Sequence, residues 1–205
     1  MSDSDKPIKI VLLGESGVGK TSLIRVFFGL NFKNESESTI SSICNEYEFI
    51  YNDKKYKYSI WDTAGQEAYR SINKLIIREA KIILIVYAIN NKNSFDQIDF
   101  WVKYVRDNIE DDKYIMALVA NKMDLFEEQM IMDEEGRDAA EKYGIEFLTT
   151  SARENIQSFK TFTNKLIANY IENFGECLDS ISLKKRIKIN EGKKGDKSNR
   201  KKCCD

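Results

Sequence analysis

Short apolar runs alternate along this chain with longer stretches in which apolar residues recur every three or four positions. "IKIVLL" (Ile8–Leu13) is rich in branched residues and bounded by Pro7 and Gly14, so it reads as a buried strand. "KTSLIRVFF" follows as a helix. "NEYEFIY" and "KYKYSIW" flank Asn52-Asp53 as a β-hairpin, although Asp53 stands where glycine is preferred. "KIILIVYAI" (Lys81–Ile89), "YIMALVA" (Tyr114–Ala120) and "IEFLTTS" read as further strands. Between them, "SFDQIDFWVKYVRDNI" reads as a helix with Ser94 as its N-cap, and "DEEGRDAAEKYG" as one that stops at Gly144. "SFKTFTNKLIANYI" places Phe159, Phe162, Leu166 and Tyr170 on one face, which predicts a helix docked on a sheet. The expected fold is therefore α/β: a six-stranded, mostly parallel sheet with one antiparallel edge strand, joined by right-handed crossovers, with helices on both faces.

Composition narrows this picture. The 205 residues suit one domain and a tail, and 42% hydrophobic content is enough for a core. No apolar run reaches the ~18 residues of a membrane span. The start "MSDSDK" is acidic, so no secretory leader is expected, and Ser2 stands where N-myristoylation needs glycine. Cysteines at 44, 177, 203 and 204 fit no zinc spacing, and there is no histidine, so any catalysis must run without imidazole. From Lys184 onward ten Lys/Arg face three Asp/Glu, a balance of +7 that leaves −8 on residues 1–183. An acidic body with a basic tail argues against nucleic acid as a partner and for a tail that meets an anionic surface.

Ligands of such sheets bind beyond the carboxyl ends of the strands, and four loops there carry chemistry. "GESGVGKT" (Gly14, Glu15, Ser16, Gly17, Val18, Gly19, Lys20, Thr21) matches the P-loop in full, with strand before and helix after. Its glycines let backbone N–H groups approach phosphates, Lys20 reaches the β- and γ-phosphates, and the Thr21 hydroxyl ligates Mg²⁺. Ser22 continues this binding segment into the helix. In "WDTAGQE", Asp62 is placed to hold Mg²⁺, the Gly65 N–H to meet a γ-phosphate, and Gln66 to orient an attacking water. In "NKMD", the Asp124 carboxylate accepts the paired donors of guanine, which adenine lacks. Asn121 offers a bond to the base edge and the Lys122 stem a surface over the ring. "TSAR" adds the Ser151 hydroxyl and the Ala152 N–H. Each short motif also occurs as an ordinary polar loop; together they lead to the expectation of a P-loop NTPase that binds GTP or GDP with Mg²⁺.

These four loops resemble those of the Ras superfamily of small GTPases, over about Ile8–Tyr170. "KYSIWDTAGQEAYRSI" and "LIVYAIN" followed by "NSF" are most similar to the Rab branch. The resemblance implies a G domain over residues 8–174, after a short flexible N-terminus at 1–7 and before a variable basic tail at 175–205. It implies that Thr39 joins Mg²⁺ only when γ-phosphate is present and that Phe32 stacks on guanine. Thr39 and Gly65 would then clamp the γ-phosphate, with Lys20 and Gln66 completing the catalytic set. It implies slow GTP hydrolysis, an exchange factor, a GTPase-activating protein, effectors and escort or GDI-type proteins as partners, and a monomer. The expected role is a switch in vesicle traffic on the cytoplasmic face of an intracellular membrane, cycling with cytosol. Ser41 departs from the usual glycine, Cys44 and Ala68 from a usual aromatic and arginine, "IIREA" from a tyrosine-rich stretch, and Ser16 and Arg153 only mildly. Ser41 is expected to alter the mobility of its loop. Two other readings compete: a scaffold of the same fold that holds nucleotide without hydrolysing it, and a P-loop kinase of small molecules, which "NKMD" and Gln66 disfavour.

The ending "RKKCCD" fits this frame. A C-a-a-X box needs cysteine where Lys202 stands. Rab-like chains instead carry paired cysteines that take two geranylgeranyl groups, and two lipid chains anchor far better than one. Cys203 and Cys204 are therefore expected to be lipidated, with Asp205 an unusual neighbour. The tail from Leu183 lacks apolar periodicity and is expected to be disordered.

Overall fold

The computed structural model describes residues 7–32, 44–63 and 76–192, with 44–45 and 176–192 described by backbone alone. Among these residues the strands are β1 (Ile8–Leu13), β2 (Cys44–Tyr51), β3 (Lys54–Trp61), β4 (Ile82–Ala88), β5 (Ile115–Asn121) and β6 (Glu146–Thr149). The helices are α1 (Lys20–Phe27), α2 (Lys92–Asp96), α3 (Ile98–Asn108), α4 (Asp133–Tyr143) and α5 (Ile156–Gly192). One sheet runs β2-β3-β1-β4-β5-β6, and every pairing is parallel except β2 with β3. This is the architecture that alternating buried strands and amphipathic helices predict.

The period-2 alternation of β1 divides the core into two layers. Ile8, Ile10 and Leu12 pack with Leu23, Ile24 and Phe27 of α1 and with Phe159, Leu166 and Tyr170 of α5. Val11 and Leu13 face the other way, among Trp101, Val102 and Val105 of α3 and Ala140 of α4. The helical stripe predicted over Phe159, Phe162, Leu166 and Tyr170 is buried along its whole length. Gly136 lets α4 lie close to the sheet, because a Cβ there would meet the Tyr87 hydroxyl at 2.4 Å and the Phe147 ring at 2.6 Å.

Three local expectations change. The hairpin turn holds both Asn52 (φ 48°) and Asp53 (φ 58°) in the left-handed region, so two short polar side chains replace the preferred glycine. Ser94 is not a cap: Asn91 caps α2, accepting from the Ser94 N–H at 3.0 Å. The buried Ser94 hydroxyl instead donates to the Asn91 carbonyl and accepts from the Ala88 N–H, tying α2 to the end of β4. Gln97 (φ −83°, ψ −1°) then ends α2 and begins α3. Finally, the α5 backbone stays helical past Leu183 as far as Gly192, where disorder was expected. The segment between contains no proline, and Lys, Arg and Leu propagate a helix readily. No described helix is long and apolar enough to cross a membrane.

Candidate functional site

Sheet order builds the site. β1 lies between β3 and β4, and β4 pairs with β5, so the loops after β1, β3 and β5 leave the same edge side by side. The loop after β1 cannot carry side chains at two points. A Cβ on Gly14 (φ 141°) would lie 2.1 Å from the Val86 carbonyl oxygen of β4. One on Gly19 (φ 96°) would lie 2.4 Å from the Asn121 amide nitrogen. Gly17 (φ 76°) faces open space. The loop thus coils tightly and delivers the chain into α1, whose first turn has neither a capping side chain nor an acidic residue. Those first N–H groups and the helix dipole suit an anion.

Lys20 is 5% exposed, and its ammonium donates to the carbonyls of Gly14 and Glu15, both at 2.8 Å. Burial pushes its pKa down to about 8, against the raising influence of Asp62 and Glu15. A buried cation held mainly by neutral carbonyls gains from the arrival of phosphate. The Thr21 hydroxyl donates to the Asp62 carboxylate at 2.7 Å, across 41 positions of sequence. Asp62 is 1% exposed, and the adjacent Thr63 hydroxyl donates to the Leu12 carbonyl at 2.6 Å, fastening the start of this loop to β1. Hydroxyl and carboxylate oxygens are the donor set a hard cation such as Mg²⁺ prefers, so this pair fits that ion.

The loops after β5 and β6 are bolted together and to the glycine loop. Asn121 is 1% exposed; its Nδ2 donates to the Val18 carbonyl at 2.8 Å, and its Oδ1 accepts from the Ala152 N–H at 3.2 Å. These two bonds use one N–H and one lone pair of an amide that has two of each. The Ser151 hydroxyl donates to Asp124 Oδ1 at 2.6 Å and accepts from the N–H groups of Arg153 and Glu154. Ser151 therefore aims the carboxylate. Lys122 adopts φ 68°, which turns the chain so that its stem and Asp124 face one cleft. Burial lowers the Lys122 pKa, and Asp124 opposes the shift.

That cleft also takes in Gly17, Gly19, Ser22, Phe32, Ala152 and Arg153. The structure thus brings most of the sequence-predicted binding residues to one place. Thr39, Ser41, Gly65, Gln66, Ala68, Cys203 and Cys204 lie outside the described residues. Two contributors were missed. Leu125 lines the cleft beside Asp124, and Thr63 anchors its loop; neither stands out in sequence, because each acts only through neighbours the fold supplies.

A sequence model of the Ras family matches residues 9–171. The chain is 38% identical to the Ras-related protein RABA1h of Arabidopsis thaliana, over 98% of this chain and 95% of that one. It is 38% identical to the Ras-related protein Rab11B of Nicotiana tabacum, over 93% and 89%. Against the Ras-related protein Rab-3A of Homo sapiens it is 35% identical, over 86% and 79%.

Proposed function

The chain belongs to the Ras family of small GTPases, in its Rab-like part, and from that premise we propose that it is a GTP/GDP switch regulating membrane traffic. The observation that carries the reading is the single cleft shared by the glycine loop, Lys122 and a Ser151-aimed Asp124. The glycine-loop N–H groups and Lys20 hold the phosphates. Asp124 accepts from guanine, and a base without paired donors leaves the carboxylate with Ser151 as its partner and without those two bonds, at a cost on the order of 1–3 kcal/mol. Phe32 and the Lys122 stem cover the ring. Thr21 and Asp62, with Thr39 in the GTP state, would hold Mg²⁺, which when bound neutralises charge between the β- and γ-phosphates.

Gln66 orients the attacking water, and the Gly65 N–H and Thr39 sense the γ-phosphate. Loss of that phosphate releases both loops, and effectors read the change. Intrinsic turnover is slow, on the order of 10⁻⁴ s⁻¹, until an activating protein supplies an arginine. Exchange factors, effectors and escort proteins complete the cycle, and geranylgeranyl groups on Cys203 and Cys204 hold the switch at its membrane. Identification of the nucleotide released from the purified chain tests the core of this reading: GDP or GTP is expected, and an adenine nucleotide or none would refute it. Single-turnover hydrolysis of bound GTP by wild type and Gln66→Leu separates a switch from a non-hydrolysing scaffold. The wild type is expected to turn over and the variant to stall.

A further inference from the structure

"GESGVGKT" contains one carboxylate, Glu15, in a loop whose task is to receive a polyphosphate. An anion there opposes the ligand unless something turns it aside. The Glu15 backbone carbonyl faces inward, where it accepts from Lys20 at 2.8 Å. Its side chain is held elsewhere: the indole Nε1–H of Trp101 donates to Glu15 Oε1 at 3.2 Å, across 86 positions of sequence. Trp101 is 3% exposed and sits in α3 with the Phe100 and Tyr104 rings edge-on at 5.2 and 5.8 Å. An indole nitrogen only donates, and a ring so packed has one orientation to offer, so the contact is directional and fixed. The Glu15 charge remains close enough for Lys20 to respond to it.

We propose that Trp101 is a positioning residue for the phosphate loop: its N–H parks the Glu15 carboxylate against α3 and keeps that charge off the phosphates of the bound nucleotide. This rests on the guanine-nucleotide reading above. It also makes α3 part of the nucleotide site, although no residue of α3 lines the cleft.

Release of a fluorescent GDP analogue from four full-length chains tests the proposal: wild type, Trp101→Phe, Glu15→Gln, and the double variant. Phenylalanine keeps an aromatic ring in the packing and deletes the N–H. Trp101→Phe is expected to release GDP about tenfold faster than wild type, the scale of losing one hydrogen bond to a charged group. In the Glu15→Gln background the same substitution is expected to change release by less than about twofold, because no charge remains to be parked. Equal acceleration in both backgrounds, or a fall in Tm with release unchanged in both, would show that Trp101 acts through packing alone and would overturn the proposal. Failure of the wild type itself to retain the analogue would refute the guanine-nucleotide reading, and this inference with it.

Discussion

Gly19 shows how much one hydrogen atom in place of a methyl can decide. Its φ of 96° disfavours any L side chain, and Asn121 fills the space where a Cβ would go. Gly19→Ala is therefore expected to cost about 2 kcal/mol or more in stability and to weaken nucleotide binding at the same time. Thermal melts with and without added GDP measure both. A charged residue on the surface behaves differently. The Tyr143 hydroxyl, and after it Lys142, hold the Asp99 carboxyl below its ordinary 3.8. A depressed carboxylate stabilises the fold above its unfolded pKa, and the contribution is lost as pH falls through the folded value. Asp99→Asn should therefore lower Tm slightly at pH 7, and its difference from wild type should shrink as pH falls below the ordinary carboxylate value and through the depressed one. The effect stays small because the Lys142 and Asp99 side chains are 59% and 68% exposed. Residue identity alone made the P-loop legible, since its chemistry is written at fixed offsets within eight consecutive positions. The partnership of Thr21 with Asp62, or of Trp101 with Glu15, has no such local signature. It becomes visible only when the sheet brings distant segments together.

Among the elements, α2 carries the clearest lesson. Ser94 is the cap the sequence points to, and Asn91, an equally good capping residue three positions before it, takes that place in the structure. The ladder of β4 ranks them: the Ala88 N–H needs a partner at the strand's end, and the Ser94 hydroxyl provides it from inside the helix. Asn91→Ala is expected to cost about 1 kcal/mol, as a lost cap. Ser94→Ala should cost about 1–3 kcal/mol, because it leaves a buried N–H unsatisfied. Urea unfolding of the two variants tests that order. The strands and α5 were legible for the opposite reason. Their apolar periods are long and unbroken, and burial follows the predicted faces at Ile10, Leu12, Phe159 and Leu166. The extent of α5 was not, since a charged, lysine-rich segment satisfies helix propensity and the composition of a disordered tail equally well.

On the scale of the whole molecule, charge is divided between the ends of one chain: −8 on residues 1–183 and +7 beyond. Each basic residue near an anionic bilayer contributes up to about 1 kcal/mol, and salt screens it. Full-length chain made without lipid attachment is expected to sediment with vesicles rich in phosphatidylserine at low salt and to leave them at about 0.5 M salt. Truncation after Leu183 is expected to abolish binding at any salt concentration. If Cys203 and Cys204 carry lipid as proposed, the Cys203→Ser, Cys204→Ser double variant from lipidating cells is expected to keep only the salt-sensitive binding, whereas the wild type stays on vesicles at about 0.5 M salt.

Asn121 ties the loop after β1 to the loop after β6 through the two ends of one amide. Its consequence concerns how the protein breathes. The Ala152 amide proton can meet solvent only when Asn121 lets go, and nothing about Ala152 alone decides when that happens. The two loops should therefore exchange deuterium as one cooperative unit rather than fraying separately. In Asn121→Ser, which is too short to span both partners, the Ala152 amide should lose its protection while the neighbouring Thr150 amide, bonded to the Ala120 carbonyl, keeps its own.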